Sequence, residues 1–248
     1  MEAEPGALYV YGYMRAGDAR PEASGGVGDP PGAVEALVEG DLAALVTPVG
    51  PTGVAPRRAN LLAHAEVLRQ ALDAGPVLPL RFGIAMAGPD AVRAEIARRT
   101  PELTQLLDAL QDRLEMSVSA LYREEVVLQE VLAENPKMAQ AGRGIQGQPE
   151  AATHFQRIRL GELVAQAVDA KRAIDGGAIL RELEPHAVAV STDEPLHERM
   201  VVNAAFLVAR DRLEEFDSAV ERVSRERAER MQFKLLGPLP PHSFVGAA

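Results

Sequence analysis

Residues 200–223 read MVVNAAFLVARDRLEEFDSAVERV, and this stretch decides the fold of the second half of the chain. Its first part, Met200–Val208, is apolar on both faces, which predicts a strand that is central in its sheet. Asp211 is expected to cap the helix that follows, and Glu214 stands three residues later, as in a capping box. The apolar stripe of that helix is formed by Leu213, Phe216, Val220 and Val223.

Three further strands are predicted around this stretch. Leu114–Ala120 alternates between apolar and polar residues, which is the period of a half-buried strand. His186–Val190 precedes the central strand, and Gln232–Leu235 alternates again after the helix. Helices are predicted at Glu124–Glu134 and Thr153–Asp175. The order is therefore β-α-β-β-α-β with one inserted helix, the pattern of a ferredoxin-like fold.

The segment between those two helices is predicted to be a loop. Residues 135–150 are rich in Gly, Gln and Pro and contain few apolar side chains. Gly142–Gly147 matches GxGxxG, but a dinucleotide site needs this motif between a strand and a helix. A helix precedes it here, so we expect a loop and no nucleotide. Gly176 and Gly177 are expected to interrupt the helix that begins near Thr153.

The N-terminal half is predicted to contain strands and helices of its own. Leu8–Met14 reads as a strand, and the next two apolar runs form a hairpin that turns at Gly40. Arg57–Ala74 reads as a helix. Its apolar stripe is formed by Leu61, Leu62, Ala65, Leu68 and Leu72.

A strand and a second helical region complete this half. Val77–Gly83 reads as a strand, and Pro79 predicts that it lies at a sheet edge or a bulge, because proline cannot donate to the ladder. Pro89 opens a helix, and Pro101 is expected to break it.

These elements predict an α+β protein with two domains. The N-terminal α+β domain is placed at residues 1–112 and the ferredoxin-like C-terminal domain at residues 113–248. A chain of 248 residues exceeds the commonest domain size, which also favours two domains.

Composition excludes several classes of function. The chain has no Cys, so disulfides, thiolate-bound metals and thiol catalysis are excluded, and a reducing cytoplasm is expected. Its net charge of −10 argues against a nucleic-acid partner. No apolar run is long enough to predict a membrane span, and the acidic start Met1–Pro5 does not resemble a signal peptide.

The search for catalytic residues predicts no enzyme. The five His are scattered at His64, His154, His186, His197 and His242, and none of them has the spacing of a metal site. His64 lies near a helical apolar stripe, where a packed histidine is the expected role. We therefore predict no catalytic residue, no cofactor and no metal.

Two stretches of the last quarter resemble the gas vesicle protein F/L family. The first is Glu194–Val208, continued by Leu213–Phe216, and the second is Gly237–Val245, which reads GPLPPHSFV. Further similar stretches lie upstream, in the order expected for the family: Leu8–Gly12, Gly40–Val46, His64–Leu68, Val77–Gly83 and Leu114–Val118.

The resemblance implies a cytoplasmic accessory protein of gas vesicle assembly, built from two α+β domains and without catalytic residues. It implies binding to the small, hydrophobic major shell protein, assistance in vesicle nucleation and protection of the shell protein from aggregation. Other accessory proteins are further expected partners. Two alternatives stay open: a minor structural component of the finished shell, and an enzyme or small-ligand sensor. A pocket with converging carboxylate and His groups near His64 or His197 would favour the sensor.

The expected partner-binding surface is the strand edge around Pro79. Its candidate residues are Leu78, Leu80 and Phe82, because an apolar edge strand can pair with a partner chain.

Overall fold

The computed structural model describes residues 6–20, 25–50 and 53–246, and the acidic start at Met1–Pro5 lies outside them. The chain divides into two compact units. One contains the chain up to Glu115 together with the residues from Gly237 on, and the other is Met116–Leu236. Among the described residues, no helix is both long enough and apolar enough to cross a membrane.

The first unit is built on an antiparallel sheet with β1 at its centre. The order is β2-β3-β1-β4, and β5 also pairs with β1. The predicted hairpin is confirmed, with Gly40 at a φ of 59° in the turn that joins β2 and β3. The strands are β1 (Ala7–Arg15), β2 (Glu35–Glu39), β3 (Leu42–Val49), β4 (Val77–Pro79) and β5 (Ala85–Met86).

Helix α1 (Arg58–Ala74) buries a different face from the one expected. Leu61 and Leu62 are 44% and 59% exposed, whereas the polar residues Asn60 and His64 are buried. The predicted stripe is wrong in this part because both polar side chains have partners. Asn60 accepts from the Gly28 N–H and donates to a carbonyl, and His64 is bonded to a tyrosine.

Helix α2 (Gly88–Ala109) runs through Pro101, so the predicted break is wrong. Val92 and Ile96 before the proline are buried, as are Leu103 and Leu107 after it. Because one continuous face packs against the core on both sides of Pro101, packing outweighs the backbone hydrogen bond that proline removes.

The second unit contains most of a four-stranded sheet in the order β7-β8-β6-β9, and β7 and β8 run antiparallel. The central position predicted for Met200–Val208 is confirmed, since β8 lies between two strands and is buried along most of its length. The strands are β6 (Arg113–Tyr122), β7 (Ala189–Thr192), β8 (Met200–Ala209) and β9 (Met231–Leu239).

The helices of the second unit differ from the prediction at three points. Residues 135–150 contain a helix where a loop was expected, and the third helix in this unit continues through Gly176 and Gly177. The expected cap at Asp211 is replaced by a 3-10 turn, and no side chain caps the helix after it. The helices are α3 (Glu124–Glu134), α4 (Pro136–Ile145), α5 (Glu150–Leu183) and α6 (Leu213–Glu226).

Gly176 has a packing role that explains why α5 does not end there. A Cβ atom at this position would lie 2.8 Å from the Val201 carbonyl oxygen on β8. Glycine therefore lets the helix approach the sheet closely, a benefit that outweighs its weak helix propensity.

The end of the chain lies in the first unit, whereas the sequence assigned all of residues 113–248 to the second domain. The Ser243 N–H donates to Glu115 Oε2 at 2.8 Å, and the Ser243 hydroxyl lies 3.1 Å from Oε1 of the same carboxylate. Since β6 begins and β9 ends in the first unit, a boundary drawn between whole strands could not reproduce this division.

Candidate partner-binding surface

The surface expected from the sequence lies at an edge of the first sheet. Strand β4 is three residues long, contains Pro79 and lies at the end of the path β2-β3-β1-β4, so the predicted edge position is confirmed. Just after it, the Leu80 N–H donates to the Tyr11 carbonyl at 2.8 Å. Short length and proline are two of the devices by which natural proteins protect an edge strand.

The three candidate residues differ in their accessibility. Leu78 and Leu80 are 3% and 7% exposed, so their side chains belong to the core of the first unit. Phe82 is half-buried, and its ring lies 5.7 Å from the ring of Tyr9 and 5.7 Å from that of His64. Of the three, only Phe82 offers side-chain surface, and partner binding at these residues stays a prediction.

Beneath Phe82 lies a buried cluster of Tyr9, Tyr11 and His64. The Gly83 N–H donates to the Tyr9 hydroxyl at 3.2 Å, and this hydroxyl is hydrogen-bonded to His64 Nδ1 at 2.8 Å. The other ring nitrogen, Nε2, makes no hydrogen bond of normal geometry with a described residue. Burial, and after it the charge of His242, lower the pKa of His64 to about 4, against a smaller opposing effect of the Leu80 backbone.

A small cleft of about 190 Å³ opens beside β4 within the first unit. Leu80 and Arg81 line it, and so do His242 and Val245 of the tail, the segment that follows β9. Arg99 on α2 also lines it and is paired with Glu102 at 2.8 Å. Burial lowers the pKa of His242. The lining is more apolar than polar, with Arg81, Glu95 and Arg99 as its charged members, and the cleft lies next to a sheet edge, so it suits an apolar side chain of a partner.

The residues that would favour a sensor do not form an assembled site. His197 lies at a hollow of about 700 Å³ between α3 and α5, together with Glu124 and Asp169. Among the described residues no hydrogen bond joins His197 to either carboxylate, and Asp169 is paired with Arg172 at 2.9 Å. Across all the residues that the structure describes, no group of three or more His, Asp or Glu side chains is arranged to hold a metal ion.

The glycine motif at Gly142–Gly147 lies at the C-terminal end of α4 and in the turn after it, where Gly147 has a φ of 80°. A helix C-terminus carries negative partial charge, so its backbone repels a pyrophosphate. The expectation of a loop was wrong, and the context needed for nucleotide binding is absent from this segment.

Sequence reasoning missed the groove between α4 and α5 because it assigned no helix to residues 135–150. A signal for that helix is present. Pro136 occupies the first helical turn, and Met138, Ala141 and Ile145 recur at three- and four-residue spacing. All three of these side chains line a groove of about 970 Å³.

Comparison with known families assigns the chain to a class. The sequence model of the family described as gas vesicle synthesis protein GvpL/GvpF matches residues 7–246, so the chain belongs to this family. The resemblance stated from the sequence is thereby confirmed.

Within the family, the similarity is to proteins named gas vesicle protein F. The chain is 40% identical to that of a Streptomyces species (strain CB03234) over 243 residues, which cover 96% of this chain and 99% of the relative. It is 26% identical to that of Dolichospermum flosaquae over 76% of this chain and 77% of the relative. The crystal structure of GvpF from Anabaena sp. PCC7120 superimposes with a TM-score of 0.81 at 25% identity, over 98% of this chain and 99% of that one.

Proposed function

We propose that this chain binds the major gas vesicle shell protein, limits its aggregation and assists vesicle nucleation in the cytoplasm. The observation that carries the proposal is membership of the gas vesicle synthesis family over residues 7–246. The net charge of −10 supports it, because a strongly charged chaperone stays dispersed beside a hydrophobic client. Other gas vesicle accessory proteins are the further partners in this proposal.

The β4 edge and its cleft are the proposed contact surface for the shell protein. Phe82 is half-buried just after β4, and the lining of the cleft is more apolar than polar. An apolar residue of the client inserted in the cleft would pack against Ile84 and Met86, while the client backbone would lie along the short edge strand and contact Phe82 just after it. Leu78 and Leu80 then act from below, by holding the edge in place.

The test is co-purification of the shell protein with tagged variants after co-expression. Phe82→Lys should reduce the recovered shell protein at least severalfold, because a charge replaces the exposed part of the ring. Val38→Lys is the matched control, since Val38 is 48% exposed on β2, at the opposite edge of the same sheet. Equal recovery of the shell protein with Phe82→Lys and with the parent would exclude the β4 edge as the contact surface. No recovery with the parent would exclude shell-protein binding altogether.

Retention in the finished vesicle is a separate outcome of the same work. Mass spectrometry of intact, washed vesicles should find the chain absent or far below the shell protein if it acts as a transient assembly factor. A fixed, wash-resistant ratio to the shell protein would instead identify a minor structural component.

For the second unit, we propose a ferredoxin-like fold with two inserted helices, α4 being the one that the sequence did not predict. The strand order β7-β8-β6-β9 and the order of the elements along the chain support this classification. A common fold of this kind hosts many functions, so it adds nothing to the functional proposal.

A further inference from the structure

The helices α4 and α5 form an arm in which few side chains are buried. None of the residues of α4 is buried, and between residues 151 and 170 of α5 only Thr153 is. Further along α5, Ile179 and Leu183 are fully buried against the core of the second unit. Met138 on α4 and Ala167 and Val168 on α5 pack, partly buried, against that core, whereas most side chains of residues 151–166 are exposed and remain available for other contacts.

A groove runs between the two helices of this arm. On α4 its wall is the stripe Met138, Ala141 and Ile145, and on α5 it is Leu160 and Leu163. Its volume is about 970 Å³, and Leu163 is 41% exposed. An apolar channel with walls at helical spacing has the shape that accepts a third helix.

The charges on the rim of the groove are positive. Lys137 and Arg159 both line it, and neither forms a salt bridge within the described residues. Glu134, also at the rim, is neutralised by Lys171 at 2.7 Å. Residues 136–161 contain four basic residues and one acidic residue, Glu150, in a chain whose net charge is −10.

The base of the arm is fixed by an ion network. Lys171 on α5 contacts Glu130 on α3 at 3.2 Å, and Glu130 accepts from Arg230 at 2.6 Å. Arg230 also donates to Asp175 on α5 at 2.8 Å. The network therefore holds α5, which forms one wall of the groove, against α3 below it, and this part of the groove is in place before any partner arrives.

We propose that this groove binds an amphipathic helix of a partner protein whose carboxylates flank its apolar stripe. Helix α4 has ten residues, which at 1.5 Å per residue gives a wall of about 15 Å, so the bound segment spans about three turns. Its apolar side chains pack between Leu163 and the α4 stripe, and its acidic residues meet Lys137 and Arg159. The match of charges sets which helix is accepted. This surface lies in the second unit and does not depend on the proposed contact at the β4 edge.

An anionic membrane surface is the competing occupant, but the geometry favours a helix. The apolar residues that line the groove are recessed between two helices rather than displayed on one convex face, and a net charge of −10 opposes approach to anionic lipid. Phe155, which is 84% exposed on α5, does not line the groove and serves to separate the two occupants experimentally.

The test uses the purified full chain and two fluorescent 14-residue peptides with the same Leu/Ile stripe. One peptide carries Glu beside the stripe, and its twin carries Lys at the same positions. Fluorescence anisotropy should show that the Glu peptide binds about tenfold more tightly than the Lys peptide, since two charge pairs change sign. The double variant Lys137→Glu/Arg159→Glu should invert this preference.

The matched control is the double variant Arg143→Glu/Arg157→Glu. It changes the net charge equally on the same two helices, but neither residue lines the groove. It should keep the parent's preference for the Glu peptide, with circular dichroism confirming that both double variants are folded.

Three outcomes would overturn the proposal. If neither peptide binds the parent, the groove does not bind a helix. If both double variants invert the preference equally, the preference depends on the overall charge and not on the groove. The third outcome is that phosphatidylglycerol vesicles bind the parent, that Phe155→Ser abolishes this binding, and that the Glu peptide does not bind. The occupant of the arm would then be a membrane surface and not a helix.

Discussion

The two units attach a helix to their sheet through polar groups, and they do so by different chemistry. In the first unit the tie between β1 and α1 is neutral: it is the hydrogen bond between the Tyr9 hydroxyl and His64, which is 6% exposed. In the second unit the tie is ionic. Tyr122 on β6 donates to Asp175 on α5 at 2.6 Å, and Arg230, whose side chain is 30% exposed, pairs with the same carboxylate.

The degree of burial explains the difference. A charge that is fully removed from water costs several kcal/mol, so the buried tie must stay uncharged. A half-exposed site keeps part of its hydration, and there opposite charges compensate each other. We therefore expect acid and the loss of a hydroxyl group to destabilise the first unit more than the second. The loss of a cation should destabilise the second unit more than the first.

Mild acid should produce the largest effect, and it should act on the first unit. Burial holds the pKa of His64 at about 4 in the folded chain, against 6.5 when unfolded. Stability is therefore fully present above pH 6.5 and is lost as the pH falls toward 4, by at most about 3 kcal/mol. The lowered pKa of His242 adds a loss in the same direction.

The second unit should be unaffected in the upper part of that range. On its own, burial would raise the pKa of Glu130, but hydrogen bonds from Arg230 and Lys171 outweigh it and hold the pKa below the usual 4.5. The stability that this carboxylate provides is present above pH 4.5 and is lost only as the pH falls further.

Pulse-labelling hydrogen exchange with mass spectrometry, after incubation between pH 7 and 4, can follow the two units separately. Between pH 6.5 and 4.5, peptides of β1 and α1 should lose protection before those of β6 and α5. His64→Gln should remove most of this early loss. Simultaneous loss of protection in both units would contradict the assignment to His64.

Strands β6 and β8 were predicted well because their signals are local, whereas the strand predicted at Val77–Gly83 ends at Pro79 and the one predicted at His186–Val190 lies at Ala189–Thr192. Alternation along β6 and the apolar run of β8 each depend on neighbours in sequence, and both strands were found within a few residues of the expected bounds. The helices failed where contacts distant in sequence decide. Pro101 and Gly176 lie inside helices because packing against the sheet outweighs their weak helix propensity.

The candidate surface could be predicted only in outline. Pro79 correctly indicated a sheet edge, since that argument needs only the missing N–H. Which side chains reach the surface could not be predicted, because it depends on the packing of α1, α2 and the tail around β4. For this reason Leu80, chosen for its apolar character, is in the core, whereas Leu61 and Leu62 are exposed.

Loss of the shared cation should have the next largest effect, and it should be confined to the second unit. Arg230→Ala leaves Glu130 and Asp175 without their common partner. We expect the free energy of unfolding of this unit to fall by about 2 kcal/mol, less than for a fully buried pair because all three side chains are partly exposed. Urea titration read by hydrogen exchange measures the change, and a loss in the first unit instead would contradict it.

Loss of one hydroxyl group should again affect the stability of the two units differently, by a smaller amount. Tyr9→Phe leaves the Gly83 N–H and His64 Nδ1 without their partner, which should lower stability by about 1–2 kcal/mol. Tyr122→Phe should lower it by less, about 0.5 kcal/mol, because Asp175 keeps its pairing with Arg230. Equal losses in urea titrations of the two variants would show that the buried neutral tie has no special sensitivity.

Exposed ion pairs should give the smallest effect, and there the two units should no longer differ. Arg69 on α1 contacts Glu66 and Asp73 at 2.7 and 2.9 Å, and Arg225 on α6 contacts Glu221 at 3.5 Å. Despite the shorter distances in the first unit, water screens both arrangements, and holding the long side chains in place costs entropy. Arg69→Ala and Arg225→Ala should therefore have urea midpoints equal to that of the parent within error. A clear loss with Arg69→Ala would mean that the distance between charges matters more than their burial, and the contrast between His64 and Arg230 would then need another cause.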